Sequence, residues 1–355
     1  MKKQIAFFLV LALVMSLFAG CMGTVVVYNE CDCPGNIHTG NDPEPTKPTE
    51  SQPAAEGALK TGLAILANAK ESADAKEAKY DITIAAVTVD DNGVIQDCII
   101  DSVGTSITFD GKGAITSDLN AQILTKTELG DSYGMKAYGN ATYEWYEQAA
   151  ALANYAKGKT LDQLKNGAIG ESGKPTDADL ASTATIYLGG YVSAIEEAVN
   201  NAQHLGAQAG DTLKLAVINS AASSVSATAE KAGTAQLDCD VAVLTVRDDV
   251  ITSCVLDSVQ AKVSFDTAGK ITTDLSAAML TKTQLGEGYG MKAWGNAKFE
   301  WNEQAANFAA YVTGKTAAQV AGIAVSAGKP ADADLAASVT IAIGGFQALI
   351  AKALQ

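Results

Sequence analysis

The sequence predicts an α+β protein built from two tandem copies of one domain, each an antiparallel sheet packed with helices. Three observations predict it. The stretch Cys98 to Thr160 aligns without gaps on Cys254 to Thr316, an offset of 156, with about 37 of 63 positions identical. Alternating apolar runs broken by Asp91-Asn92-Gly93 and Gly111-Lys112-Gly113 read as antiparallel hairpins. Late in each copy, apolar residues recur at helical spacing.

In chain order, Leu59, Leu63, Leu66 and Ala67 are spaced as a helical stripe, so a helix is expected to open the first copy. Tyr80 to Asp90 alternates Ile82, Ile84 and Val87 with smaller or polar residues and leads into the Asn-Gly turn. Val94 to Val103 returns as the second strand. Ser106 to Phe109 and Ala114 to Thr116 flank a glycine-rich turn and predict a second hairpin. Trp145, Ala149, Leu152 and Ala156 then mark an amphipathic helix, matched by Trp301, Ala305, Phe308 and Val312. A last helix is expected after Asp179 and after Asp334, running to the end of each copy. The expected boundaries are residues 57–203 and 210–355, joined by the Asn- and Gln-rich stretch Asn200 to Asp211.

Composition removes several functions. The chain has 355 residues, a formal net charge of -15, 48% hydrophobic and 18% charged residues. Arg247 is its only arginine, and an acidic surface repels a polyanion, so nucleic acid is excluded as a partner. The two histidines, His38 and His204, fall in segments that read as linkers, leaving no imidazole for a catalytic base or a zinc site.

The N-terminus reads as an address. Lys2 and Lys3 precede an apolar run from Ile5 to Leu17, too short to span a bilayer, and then Phe18-Ala19-Gly20-Cys21. Residues 1–20 are expected to be a signal peptide. The Ala-Gly-Cys ending is similar to a bacterial lipobox, which implies lipid attachment at Cys21 and anchoring at the extracytoplasmic face of the membrane. Residues 21–56, rich in Pro, Thr and Glu, read as a disordered tether in which Cys31 and Cys33 are a strained local pair or free thiols.

Several pieces resemble the FMN-binding domain of membrane-anchored electron-transfer flavoproteins. Gly93-Val94-Ile95 fits the family's hairpin. Thr127-Glu128-Leu129-Gly130 looks like a short form of its E-T-P-G-L-G loop, repeated at Thr283-Gln284-Leu285-Gly286. Gln148 with Gly158-Lys159 resembles a third segment. Asp179-Leu180-Ala181-Ser182-Thr183-Ala184-Thr185 matches the D-x-x-[ST]-G-A-[TS] motif except that Thr183 stands where the family has glycine. In the second copy, Asp334, Ser338 and Thr340 occupy the corresponding run. The resemblance implies that Thr185 and Thr340 are the hydroxyls that would carry FMN, with Asp179, Ser182, Asp334, Ser338, Thr127 and Thr283 around the cofactor. A Cβ at Thr183 and Ser338 obstructs the approach that glycine permits.

Physical chemistry adds a non-covalent reading: a phosphate on free N–H groups at a helix start, charge neutralisation by Lys136 or Lys292, and a wall from Tyr133, Tyr138 and Trp145 or Tyr289, Trp294 and Trp301. The plain alternatives are that the tryptophans are core, the Gly-Met-Lys-Ala blocks are tight turns, and Asp179 and Asp334 are helix caps. Cys98, Cys239 and Cys254 read as small core residues, with a Cys239–Cys254 disulfide as the alternative. Two functions follow: a lipoprotein carrying flavin for extracytoplasmic electron transfer with an unknown redox partner, or a non-catalytic surface lipoprotein whose duplicated domain has lost the cofactor and serves as a structural or ligand-binding module.

Overall fold

The computed structural model describes residues 57–355, so the signal peptide, Cys21, the tether and His38 lie outside the described residues. The architecture is α+β. The first repeat runs β1 (Ala58–Asn68), β2 (Glu77–Val89), β3 (Ile95–Thr108), α1 (Lys126–Leu129), α2 (Met135–Gly139), α3 (Trp145–Ala156), α4 (Leu161–Ala168), α5 (Ala178–Thr183) and α6 (Gly189–Asn200). After β4 (Gln203–Gln208), the second repeat gives β5 (Thr212–Ser220), β6 (Gly233–Arg247), β7 (Val250–Phe265), α7 (Lys282–Leu285), α8 (Met291–Gly295), α9 (Trp301–Val312) and α10 (Ala317–Ala321). A two-residue ladder, β8 (Val325–Ser326) with β9 (Lys329–Pro330), precedes α11 (Ala333–Ala336) and α12 (Gly344–Ala353).

The sheets are antiparallel, in the orders β3-β2-β1-β4 and β5-β6-β7. At the β2–β3 turn, the Asp90 carboxylate accepts the N–H groups of Asn92 and Val94 at 2.9 Å, and Gly93 takes φ +77°, a value open mainly to glycine. The helix expected over Leu59–Ala67 is instead strand β1, in register with β2 at Ile65–Ile84. The second expected hairpin is reduced to a single bridge, Phe109–Ile115, with Thr116 N–H on the Thr108 carbonyl.

Four layers result: helices, sheet, sheet, helices. Between the sheets lie Tyr80, Ile82, Ile84, Val103 and Phe109 against Leu237, Cys239, Val241, Val263 and Phe265, all buried. The outer face of the first sheet offers Val87, Cys98 and Ile100 to Trp145, Leu152, Leu188 and Ile195. The second sheet does the same with Leu244, Cys254 and Leu256 against Trp301, Phe308 and Ile350. Every central strand is therefore apolar on both sides.

The presumed joint is structured. Strand β4 adds to β1, with His204 opposite Lys60, so neither His204 nor the stretch around it is a free linker. His204 Nε2 lies 2.9 Å from Asp91 Oδ1. The buried Asp211 carboxylate pairs with Arg247 at 2.6 Å and accepts the Thr252 hydroxyl at 2.6 Å. These contacts tie the connection to both repeats.

The expected last helix is broken in each copy into α5 and α6, or α11 and α12. The caps are Asp177 and Asp332, not Asp179 and Asp334. Asp177 Oδ1 accepts the N–H groups of Asp179 and Leu180 at 3.0 Å, and Asp332 Oδ1 accepts that of Leu335 at 3.0 Å. Thr185 and Thr340 consequently lie in the extended connections between the two helices rather than at a helix start.

Candidate functional site

Helix α3 organises the region that carries the motif. Its cap residue Glu144 and, one turn on, Gln148 are both buried. The Gln148 side-chain carbonyl accepts Thr185 N–H at 2.8 Å, Ile186 N–H at 3.1 Å and the Thr185 hydroxyl at 3.2 Å. Its amide nitrogen donates to the Tyr143 carbonyl at 2.9 Å, which fixes the orientation of the amide. The Glu144 carboxylate accepts the N–H groups of Met135 at 2.8 Å and Lys136 at 3.0 Å, the start of α2. The second repeat reproduces this with Gln304 on Thr340 and Ile341, and Glu300 on Met291 and Lys292.

A backbone N–H at such a bend is the donor a phosphate needs. Here those donors already serve protein acceptors. The lysines proposed for charge neutralisation are engaged too: Lys136 pairs with Glu147 at 2.7 Å and Lys292 with Glu303 at 2.8 Å. The loop therefore does not fit a flavin phosphate bound through these groups, although Thr185 and Thr340 are themselves exposed.

The remaining expected site residues have structural partners. Ser182 donates to the Asp179 carbonyl at 2.7 Å and Ser338 to the Leu335 carbonyl at 3.4 Å, while the Asp179 and Asp334 side chains are exposed. Thr127 and Thr283 donate their N–H groups to Asp101 and Asp257 at 3.2 and 3.1 Å, tying α1 and α7 to the sheets. Burial raises the pKa of both these aspartates, and the surrounding hydroxyl and N–H donors oppose the rise. Lys174 Nζ reaches the Thr185 carbonyl at 2.6 Å.

Trp145 and Trp301 are core residues, Trp145 donating to Tyr191 at 2.9 Å and Trp301 packing edge-on against Phe346. Tyr138 and Trp294, at equivalent positions, are 91% and 88% exposed, so they wall no enclosed site. Cys98, Cys239 and Cys254 are free and buried. Cys239 faces the other sheet and Cys254 faces helix α9, on opposite sides of the second sheet, which excludes the Cys239–Cys254 disulfide.

Two hollows lie elsewhere. One of about 440 Å³ is bordered by Lys262, Lys282 and Tyr289. The other, about 640 Å³, lies between the repeats, with β1, β4 and α6 on one side and β7, α7 and α9 on the other. Neither is lined by Thr185 or Thr340. The sequence reading singled out Gln148 but missed Glu144. The signal was present: Glu144-Trp145 and Glu147-Gln148 recur unchanged as Glu300-Trp301 and Glu303-Gln304. Compared with protein-family models, curated proteins and solved structures, the chain matches none.

Proposed function

We propose that this protein is a lipoprotein, held at the extracytoplasmic face of the membrane by a lipid on Cys21, whose duplicated domain is a non-catalytic binding module rather than a flavin carrier. One observation carries the reading. In both repeats a buried glutamine fills the bend that would receive a phosphate, taking two N–H groups and the threonine hydroxyl at once. A donor already held by a buried acceptor gains little from exchanging it for a solvated phosphate, which must itself be stripped of water. The motif has thus become a brace between α3 and the α5–α6 connection.

The test is co-expression of the full chain with a flavin transferase. The purified protein is expected to be colourless, with no flavin mass increment and no response to added FMN. A yellow protein whose mass increment disappears on Thr185→Ala or Thr340→Ala overturns the reading. Membrane anchoring is tested separately: Cys21→Ser is expected to move the protein from the membrane to the soluble fraction.

A further inference from the structure

We propose that the hollow of about 640 Å³ between the repeats binds a small organic amine, with its apolar body against Leu63, Leu205 and Leu256 and its ammonium group toward Glu197 and Asp257. The inference rests on reading the chain as a binding module and gives that module its ligand class.

The internal symmetry of the molecule supplies the argument. Each face of the contact between repeats should recur on the other side, with Lys352 standing for Glu197 and Glu128 for Gln284. On the Lys352 side, the protein's own ammonium fills the place: Lys352 Nζ donates to the Val217 carbonyl and pairs with Glu128. On the hollow side the cation is gone. Glu197 stands in its position and accepts from Gln284 at 2.6 Å, a neutral donor that leaves the carboxylate charge uncompensated.

The wall is also trimmed on that side only. Helix α9 and the residue after it present Asn302, Ala310 and Thr313 to the hollow, where helix α3 and the residue after it carry Tyr146, Asn154 and Lys157. The smaller side chains open the volume, and Tyr146 on the other side donates its hydroxyl to Asp131 of its own repeat at 3.3 Å. Asn302 Oδ1 is buried without a hydrogen-bond partner among the described residues.

Charge selects the ligand. The described residues lining the hollow include Glu197 and Asp257 but no Lys, Arg or His. Asp257 is held above its ordinary pKa by burial, a condition that an adjacent cation relieves. An anion meets two carboxylates there and no basic side chain in the lining.

Tryptamine, tyramine and phenethylamine serve as probes against their carboxylate analogues, indole-3-acetate, 4-hydroxyphenylacetate and phenylacetate, by calorimetry on the full chain. At least one amine is expected to bind with a Kd of about 1 mM or tighter, and its carboxylate analogue at least ~10-fold more weakly. Asn302→Tyr, which copies the residue of the first repeat, and Ala306→Trp, on an exposed part of the wall, are expected to weaken amine binding at least ~10-fold with unchanged thermal unfolding. Glu197→Gln is expected to reduce the preference for amine over carboxylate, with Asp257 still in the wall. Absence of amine binding, equal binding of both sets, or binding indifferent to Ala306→Trp overturns the inference. None of these results touches the flavin question, which colour and mass decide independently.

Discussion

Phe109 and Phe265 hold the same position in the two repeats, and their rings stack on each other at 4.0 Å, within 5° of parallel. A residue that touches its own copy lies on a two-fold axis, so the chain folds as an isologous dimer of its own halves. The neighbouring bonds come in reciprocal pairs: Ala227 N–H to the Gly113 carbonyl, and Ala75 N–H to the Gly269 carbonyl. Gly113 and Gly269 have φ of +67° and +71°, and a Cβ on either would approach a carbonyl of the other repeat within 2.7 Å.

Because the layer around the stacked rings belongs to both sheets, the repeats are expected to unfold together. Phe109→Ala leaves a cavity at the centre of that layer and is expected to cost about 3–5 kcal/mol. Urea unfolding followed by the fluorescence of Trp145 and of Trp301, each isolated by replacing the other tryptophans with phenylalanine, should give coincident transitions. Two separated midpoints would show that the halves are independent.

The brace on α3 makes a second expectation. Gln148→Leu strands the Tyr143 carbonyl and the N–H groups of Thr185 and Ile186, and should cost about 1–3 kcal/mol. Thr185→Ala removes a single exposed hydroxyl whose bond is 3.2 Å, and should cost less than about 1 kcal/mol. Thermal denaturation of the two variants gives the ranking. A costlier Thr185→Ala would mean that the hydroxyl, and not the glutamine, holds the loop.

What the sequence revealed, and what it hid, follows from the layering. The helical stripe of Trp145, Ala149 and Leu152 was legible because α3 has one buried face and one wet one. Strand β1 was not. Leu63 and Ile65 point into the layer between the sheets while Ala64 points to the helices, so the alternation of polar and apolar residues that marks a half-buried strand is missing. The chance spacing of Leu59, Leu63 and Leu66 then imitates a helix. Strand β4 escaped for the opposite reason, since an edge strand of Gln, His and Gly exposes most of its side chains. At the candidate site, the threonines were visible as a motif, but Gln148 and Glu144 gain their meaning only when α3 is laid against two distant turns.

Thiol chemistry provides a third expectation. Burial raises the Cys98 thiol to about 12 and pushes those of Cys239 and Cys254 up as well, so none presents a thiolate near neutral pH. With Cys21, Cys31 and Cys33 replaced by serine, the folded protein should resist a thiol-specific chromophoric reagent and titrate for all three thiols in denaturant. A mass gain of two hydrogens on reduction would instead reveal a disulfide.

The paired aspartates give the pH dependence. Asp101 Oδ1 accepts the N–H groups of Ser102 at 2.8 Å and Thr127 at 3.2 Å, and burial holds its pKa above the ordinary carboxylate range. A carboxyl with a raised folded pKa binds its proton more tightly folded than unfolded. Its contribution is therefore fully present below the unfolded value and is lost as pH rises through the folded one. Asp101→Asn keeps an acceptor for both N–H groups but has no proton to bind. All other titrating groups are shared, so the stability of the wild type minus that of Asp101→Asn should grow as pH falls from 7 to 4. Urea midpoints at pH 4, 5.5 and 7 measure it directly. A difference that shrinks toward low pH would mean that the donors around Asp101 outweigh its burial, and that α1 is held to the sheet by a stabilised carboxylate.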